Sequence, residues 1–289
     1  MKKIICKNAD NVQVEFEYDF SPFFLVSVDG VYSISNKVIT SENTMIDGST
    51  YQGSTTKERN IVITAQMEND YQKHRDLLYK CFKPKTLGTL TYIENDSERT
   101  IDYRVEEIDI NEKGIVRDFV ISLICTDPFF KDTFDTEVTM SSWQSAFAFV
   151  HAFNEEGEAF AERENEPLKE IKNDSAADNI GLTITIKADG PITNPAIYHV
   201  ENMEYVAIGT ADNPFSLEAG DVLIITTHTN NKAVYLLKNG EKREINEYLD
   251  EESEFIQLEH GINTLKYEAA AGEDYMNVTI SYRFRYLGV

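Results

Sequence analysis

Basic residues are scarce in this sequence: 27 Lys and Arg stand against 50 Asp and Glu, and the formal net charge is −23. Binding to nucleic acids or to anionic membranes depends on clustered Lys and Arg, so this balance argues against both kinds of partner. The longest apolar runs fall far short of the roughly 18 residues that a membrane-spanning helix needs. The chain begins like a signal peptide, but its apolar run, residues 4–6, ends at Lys7, which argues against a signal peptide. We therefore expect synthesis in the cytoplasm.

Cysteine is scarce as well. Cys6, Cys81 and Cys125 are odd in number, widely spaced and without a CxxC pair, so we expect neither a disulfide framework nor a zinc site. The five histidines show no ligand-like spacing, and the common motifs of nucleotide binding, serine hydrolysis, zinc proteolysis and calcium loops are absent. The sequence thus predicts no catalytic residue, no metal and no cofactor. A glycosidase remains open, because 50 acidic residues can supply two suitable carboxylates by chance.

Strand patterning dominates what is present, in keeping with 15 Tyr and 16 Phe. Residues 59–67 alternate apolar and polar side chains with the period of two that is typical of a strand. A helix is predicted directly after them, beginning at a capping-box-like pair, Asn69 and Gln72, and ending before Pro84. Strand and helix in direct succession make this stretch the best-defined part of the chain.

A hairpin and a further strand follow the helix. Residues 89–93 and 100–110 are rich in strand-forming residues and are separated by a turn. The second run changes phase at Glu106, which predicts a β-bulge. Residues 119–125 alternate again and stop before Pro128, which cannot donate a ladder hydrogen bond. These patterns predict a β-rich N-terminal domain with one helix, residues 1–132.

The first sixty residues contain short strand candidates and one unusual segment. The candidates are residues 12–20, 23–28 and 31–34, the last two joined by a tight turn at Asp29 and Gly30. Residues 40–57 are rich in Ser, Thr, Asn and Gly and have few apolar anchors. Loops of this length are usually functional or ordered by a partner. Both a surface hairpin and an arm ordered by a partner fit this segment.

The second half of the chain, residues 133–289, returns to short strands separated by turn signals at the spacing of a sandwich. The clearest turn is Asn239 with Gly240, a pair typical of type I′ hairpins. The final strand is predicted to place five side chains on one face: Val278, Ile280, Tyr282, Phe284 and Tyr286. We interpret residues 133–289 as an antiparallel β-sandwich domain.

Residues spread over nearly the whole chain form an ordered set that resembles the distal tail proteins, the Dit family, of phages with long non-contractile tails. In the first half the set is Arg59, Ile61, Ile63, Arg75, Leu78, Phe82, Pro84, Gly88, Arg99, Phe119, Leu123, Cys125, Asp127, Pro128 and Phe129. In the second half it is Asn194, Pro195, Gly220, Asp221, Asn239, Gly240, Phe255, Leu258, Gly261, Asn263, Tyr267 and the ending from Tyr282 to Val289.

The resemblance implies a mainly β protein: a split-barrel-like N-terminal domain with one helix and a long β-arm, and a galectin-like C-terminal sandwich. It implies a structural virion protein that forms a hexameric ring at the distal end of the tail, around a channel for DNA. The implied partners are further copies of the chain, the tail tube protein, the tail-tip hub protein and a receptor-binding protein. The implied location is the virion tail tip.

The resemblance also places an intersubunit arm in the polar segment. The residues predicted to form that assembly interface are Asp47, Ser49, Tyr51, Gln52, Ser54 and Lys57.

An alternative hypothesis is a host cell-surface carbohydrate-binding protein or glycan hydrolase that acts through the C-terminal sandwich. Trp143, the single tryptophan, is the candidate for stacking on a sugar ring. A core position for this tryptophan is the other interpretation. The clustered His, Asn, Arg and Trp signature of true galectins is absent from residues 133–289.

Overall fold

The computed structural model describes the chain except for residues 1, 20–21, 43–46, 96, 112–113, 115, 146–160, 166, 176 and 178, and describes only the backbone of residues 141–145 and 161–165. The chain forms two compact units. The first unit comprises residues 1–133 and 285–289, and the second comprises residues 134–284. The last five residues thus belong to the first unit, whereas the sequence-based division keeps residues 133–289 together.

The elements of the first unit, in chain order, are β1 (Lys2–Asn8), β2 (Gln13–Glu17), β3 (Phe23–Asp29), β4 (Asn36–Glu42), β5 (Ser49–Thr56), β6 (Arg59–Met67), α1 (Tyr71–Cys81), β7 (Leu87–Glu94), β8 (Ser97–Ile110), β9 (Arg117–Cys125) and β10 (Phe130–Asp132). The predicted strand 59–67 is confirmed as β6, and the predicted hairpin of residues 89–93 and 100–110 is confirmed as β7 and β8.

Seven of these strands form a closed barrel. The order is β8-β7-β1-β2-β3-β6-β9, and the pairing of β8 with β9 closes it. Neighbouring strands are antiparallel except β2 and β3, which are parallel. The inward side chains fill the barrel with aromatic rings such as Phe16, Phe23 and Phe119, and α1 adds Leu78 and Cys81 to this core. Closure leaves these seven strands without a free edge within the barrel.

Two local predictions about the barrel have different outcomes. The bulge in β8 is confirmed, because the register against β9 shifts between Val105 and Glu107. The capping box at the start of α1 is wrong. Asn69 and Asp70 both have left-handed backbones, with φ of 53° and 35°, and Asp70 makes no side-chain capping bond. Instead the Asn69 carbonyl lies 3.1 Å from Nδ1 of His74.

The predicted hairpin at Asp29 and Gly30 is also wrong, because residues 31–34 form no strand. The φ of Gly30 is 89°, and a Cβ there would lie 2.0 Å from the carbonyl oxygen of Asn60 in β6. Glycine therefore permits the close approach of these two segments. The chain then leaves the barrel towards β4, and β3 pairs with β6 instead.

The elements of the second unit are β11 (Thr136–Thr139), β12 (Ser141–Ser145), β13 (Ala161–Asn165), β14 (Leu168–Asn173), β15 (Ile180–Ala188), β16 (Ile192–His199), β17 (Tyr205–Ala207), β18 (Ser216–Leu217), β19 (Val222–His228), β20 (Asn231–Lys238), β21 (Glu241–Glu244), β22 (Gln257–Leu258), β23 (Gly261–Ala271) and β24 (Met276–Tyr282). The chain ends with β25 (Arg285–Tyr286) in the first unit.

The second unit is the predicted antiparallel sandwich. One sheet has the order β11-β24-β15-β19-β20-β21 and the other β14-β23-β16-β17, with β12 and β13 as a separate hairpin. Alternate residues of β15 and β24, including Ile184 and Ile280, are fully buried in its core. In the β20–β21 turn both Asn239 and Gly240 have positive φ, 53° and 84°, as a type I′ turn requires.

The predicted final strand is divided between the units. β24 ends at Tyr282, and β25 pairs with β10 of the first unit, with Phe130 opposite Tyr286 and Lys131 opposite Arg285. A single run of alternating aromatic residues therefore contributes to two different sheets.

Candidate assembly interface

The clearest candidate surface is a hairpin that extends from the first unit. We call residues 36–57 the arm. β4 and β5 pair with each other in antiparallel fashion and, within the described residues, hydrogen-bond to no other strand. At its base the amide of Lys57 donates to the carbonyl of Ser35 at 2.8 Å. The arm is thus a two-stranded sheet of its own.

Among the described residues of the arm, 36–42 and 47–57, no side chain is buried. Every residue of β4 is exposed, and so are most residues of β5. The exposed side chains include apolar ones: Val38 is 58% exposed, Ile39 46% and Tyr51 62%. A two-stranded hairpin is marginally stable in water by itself, and exposed apolar side chains together with unpaired strand edges favour contact with another chain. These features fit a surface that is completed by a partner.

The register of the arm sets its faces. Val38 lies opposite Ser54 and Thr40 opposite Tyr51, so these four side chains share one face. Gln52 is an extra residue in β5, because the register shifts between Ile39 and Thr40. Such a bulge increases the local twist of a hairpin. On the shared face the hydroxyl of Tyr51 donates to Oγ of Ser54 at 2.9 Å, which fixes the exposed ring.

The arm is electrically neutral. Residues 36–57 contain two basic residues, Lys37 and Lys57, and two acidic residues, Glu42 and Asp47. The whole chain carries −23, so two copies that meet elsewhere on their surfaces bring like charges together. Contact through the arm avoids most of that repulsion.

All six residues predicted for the interface lie in the arm. Ser49, Tyr51, Gln52 and Ser54 are in β5, and Asp47 and Lys57 flank this strand. Val38 and Ile39, the exposed apolar residues of β4, lie outside the predicted interface, because the predicted polar segment begins at residue 40. The signal was present: a β-branched pair directly before a long polar segment is a strand pattern.

Arg59, the first residue of β6, connects the base of the arm to the rest of the first unit. It is 4% exposed, and its guanidinium lies 5.0 Å from the centre of the Phe130 ring. Its N–H groups donate to four backbone carbonyls, those of Gly30, Val31, Pro128 and Leu287, at 2.5 to 3.1 Å. Burial lowers the pKa of this guanidinium from its ordinary value. The carbonyl dipoles compensate the buried charge.

The predicted sugar-stacking site at Trp143 is not tested by the described residues. Trp143 lies in β12 opposite Arg163 of β13, but its side chain is outside the described residues, so the sugar-stacking hypothesis stays a prediction.

Within the described residues no group of three or more His, Cys, Asp or Glu is placed to hold a metal ion. In the same part of the chain, none of the helices has the length and apolarity to cross a membrane. Cys6, Cys81 and Cys125 are buried free thiols, and burial raises the pKa of Cys81 to about 12.

Two family models match the sequence, one for each unit. The model described as phage tail protein RIFT-related domain matches residues 16–125. The model described as siphovirus-type tail component, C-terminal domain, matches residues 176–286. Together they account for more than half of the chain. No curated protein sequence matches it.

Solved structures share the fold over the full length. The crystal structure of the Dit protein of phage SPP1, described as a paradigm of hub adsorption apparatus in phages that infect Gram-positive bacteria, matches with a TM-score of 0.67 and 16% identity over 98% of this chain and 99% of that one. A chain of the phage P2 baseplate in its activated conformation with Ca matches with a TM-score of 0.57 and 10% identity over 100% and 99%. The same baseplate with Sr gives 0.56 and 10% over 100% of both chains.

The barrel with its helix and arm, the sandwich and the two family matches define a siphophage-type tail and baseplate component. The chain belongs to the family of phage distal tail proteins, as the resemblance in the sequence predicts. The matched family models and solved structures are those of structural tail and baseplate components.

Proposed function

We propose that six copies of this chain form a ring at the distal end of a long non-contractile phage tail. The ring joins the tail tube protein to the tail-tip hub protein and surrounds a channel through which DNA passes, and a receptor-binding protein is a further partner. The chain is made in the host cytoplasm and works at the virion tail tip. The first unit, residues 1–132 in the sequence-based division, builds the ring. The sandwich, residues 133–289, is the second domain of the chain.

The observation that carries this proposal is the arm. It is a neutral hairpin in a strongly acidic chain, none of its described residues is buried, and it exposes Val38, Ile39 and Tyr51. Copies that associate through one patch on a second, different patch form closed rings when the rotation closes. An arm laid against the next copy supplies such a heterologous contact and covers its own unpaired edges. The first unit, which builds the ring in this proposal, has 17 basic against 22 acidic residues, so it lacks the positive excess that retains DNA.

The first test is deletion of Ser49–Thr55. Because these residues lie outside both cores, we expect both units to stay folded and ring closure to weaken. Native mass spectrometry across a concentration series, followed by negative-stain images of the large species, measures the assembly. Circular dichroism and a thermal melt report whether the units are folded.

A matched pair of single substitutions sharpens this test. Tyr51→Ser removes an exposed ring of the arm, and Tyr79→Ser removes a comparably exposed ring of α1, which is 51% exposed. We expect ring formation to need roughly tenfold more protein with Tyr51→Ser, since an aromatic interface contact contributes about 1 to 2 kcal/mol. Equal assembly of the deletion variant, of Tyr51→Ser and of the unmodified chain would contradict the role of the arm.

A further inference from the structure

The last five residues of the chain, Arg285–Val289, bind along the first unit, and we call them the strap. β25 adds to β10, and the ring of Tyr286 and the side chain of Val289 pack against the barrel core. The carboxylate of Asp127 accepts a hydrogen bond from Arg285 at 2.6 Å. Arg99 of β8 donates to the carbonyl of Gly288 and lies 3.8 Å from the centre of the Tyr286 ring. Each of these contacts is made within the first unit.

Arg59 joins this strap to the arm. One end of its guanidinium, Nη2, donates to Leu287 of the strap at 2.5 Å. The other end, Nη1, donates to Gly30 at 2.8 Å and to Val31 at 3.1 Å. Residues 30–35, which we call the arm root, lead directly into β4. A single rigid planar group therefore holds the strap and the arm root at a fixed spacing.

The arm root is anchored at its start and open further on. Val31 is buried in the barrel core, and the Tyr32 hydroxyl lies 2.8 Å from both the Tyr92 hydroxyl and the Glu94 carboxylate. Residues 32–35 are exposed, and a cavity of about 120 Å³ lies beside them, lined by Ser33, Ile34, Ser35, Lys57, Glu58, Arg59, Asn60 and Pro128. Close packing normally fixes a loop, and here the space next to the root is open. For residues 33–35, directly before β4, the bond from the Lys57 amide to the Ser35 carbonyl is therefore a principal restraint, and Arg59 holds the start of the root through Gly30 and Val31.

We propose that Arg59 and the strap position the arm, so that the C-terminal residues control how the arm is presented to another copy of the chain. The strap follows β24 of the second unit directly in sequence, after only Arg283 and Phe284. When the strap leaves β10, Leu287 is withdrawn from Arg59, the guanidinium loses one of its four acceptors, and the arm root is held less firmly at residues 33–35, ahead of β4. The assembly part of this proposal rests on the proposed function, whereas the coupling between strap and arm root does not.

The test uses a pair of substitutions on one strand. Arg99→Gln removes the donor to Gly288 and the contact with Tyr286, without touching the arm root. Arg104→Gln, five residues further along β8, changes an exposed side chain and serves as the control. A third variant lacks residues 285–289. Hydrogen exchange is measured on dilute protein at the Lys57 amide, which reports the bond to Ser35, and on the β25 amides, which report the strap.

Arg99→Gln and the deletion are expected to speed exchange at Lys57 by about tenfold. Both release the strap, so Arg59 loses its hydrogen bond to Leu287 and holds the arm root less firmly. Arg104→Gln leaves it unchanged. Release of the strap in Arg99→Gln with unchanged exchange at Lys57 would overturn the proposal. Arg99→Gln decides the matter if the deletion unfolds the barrel.

Assembly is measured separately on the same proteins. We expect Arg99→Gln to raise the concentration needed for ring formation by a smaller factor than deletion of Ser49–Thr55. Ring formation by Arg99→Gln that equals that of Arg104→Gln, with a loosened root, would overturn the positioning role. Ring formation that ignores the loss of Ser49–Thr55 would instead remove the proposed function and leave the exchange result standing.

Discussion

The two units differ far more in charge than in secondary structure. The first unit has 17 basic and 22 acidic residues, a net charge of −5, and the second has 10 basic and 28 acidic residues, a net charge of −18. Both are built mainly of strands. The acidic excess of the chain is therefore a property of the sandwich, and the barrel with its arm is close to neutral.

This difference indicates which unit can lie close to the same unit of another copy. Repulsion between copies grows with the product of their charges, so sandwiches repel one another much more strongly than barrels do. Charge therefore favours association of copies through the first unit, where the arm adds a neutral surface, in line with the proposed ring. Five experiments test this contrast between the units.

The largest expected effect comes from core truncation. Ile121 in β9 and Ile280 in β24 are each fully buried, one in each core. Ile121→Ala should destabilise the barrel, and Ile280→Ala the sandwich, by about 2 to 5 kcal/mol. If the units unfold independently, calorimetry shows two transitions and each variant shifts one of them. A shared shift of both transitions would show that the units unfold together.

A smaller effect is expected at Gly88, one of the residues that carry the family resemblance. Gly88 lies opposite Tyr103 in the β7–β8 pair, and a Cβ on it would lie 2.2 Å from Cζ of the Tyr103 ring. Gly88→Ala should therefore cost the barrel about 1 to 3 kcal/mol through overpacking, and leave the sandwich transition in place. In a Tyr103→Ala background the same substitution should cost little. An equal cost in both backgrounds would rule out the clash as its cause.

Two Asp–Arg pairs close to the unit boundary give the next comparison. Asp127 pairs with Arg285 in the first unit at 2.6 Å and is 34% exposed, while Asp135 pairs with Arg283 in the second at 2.5 Å and is 51% exposed. Asp127→Asn should cost about 1 kcal/mol and Asp135→Asn less than about 0.5 kcal/mol, because solvent screens the more exposed pair. Chemical denaturation of both variants measures the difference.

The Asp127–Arg285 pair also predicts that the stability of the barrel depends on pH. Burial raises the pKa of Asp127, but Lys131 and Arg285 outweigh it, so the folded pKa lies below its ordinary value of 3.8. A carboxyl with a depressed folded pKa stabilises the fold above its unfolded pKa, and this stabilisation is lost as the pH falls through the folded pKa. The barrel transition should fall with pH below 3.8 more steeply in the unmodified protein than in Asp127→Asn. Parallel curves would contradict the ion pair.

The smallest effect is that of salt. Raising the salt concentration from about 0.1 M to about 1 M shortens the screening length from about 10 Å to about 3 Å. Repulsion between sandwiches then weakens while the neutral arm is little affected, so ring formation should strengthen by roughly two- to fivefold. Light scattering at several salt concentrations checks this. Dissociation of rings by salt would show that opposite charges, and not the arm, hold the copies together.

Sequence reasoning succeeds where the determinants are local. β6 and β9 are correct because a period of two needs only adjacent residues, and the bulge in β8 is correct because it shifts that period. The composition of residues 40–57 also differs locally from that of their neighbours, which is why the sequence indicates the position of the arm. The predicted capping box at the start of α1 is wrong because Asn69 and Asp70 adopt left-handed backbones, which take Asn69 out of the capping geometry.

The features that escaped prediction depend on distant partners. The strap pairs Arg285 with Lys131, more than 150 residues earlier, and its alternating aromatic residues look like the end of the preceding strand. Arg59 is one of the residues that carry the family resemblance, but the sequence does not indicate its contacts, because its acceptors are main-chain carbonyls, which every residue provides. Side-chain identity gives no signal for a bond of this kind.

That last property has a consequence for how the protein can change over time. Because the hydrogen bonds of Arg59 go to main-chain oxygens, these bonds set no requirement on the side chains of the acceptor residues. Leu287, which is 39% exposed, is therefore free to vary in type as long as the chain follows the same path, whereas Gly30 is fixed by its close approach to Asn60 and Val31 and Pro128 by burial. One fixed arginine can hold together segments whose own sequences drift, which suits a protein whose fold persists at 16% identity.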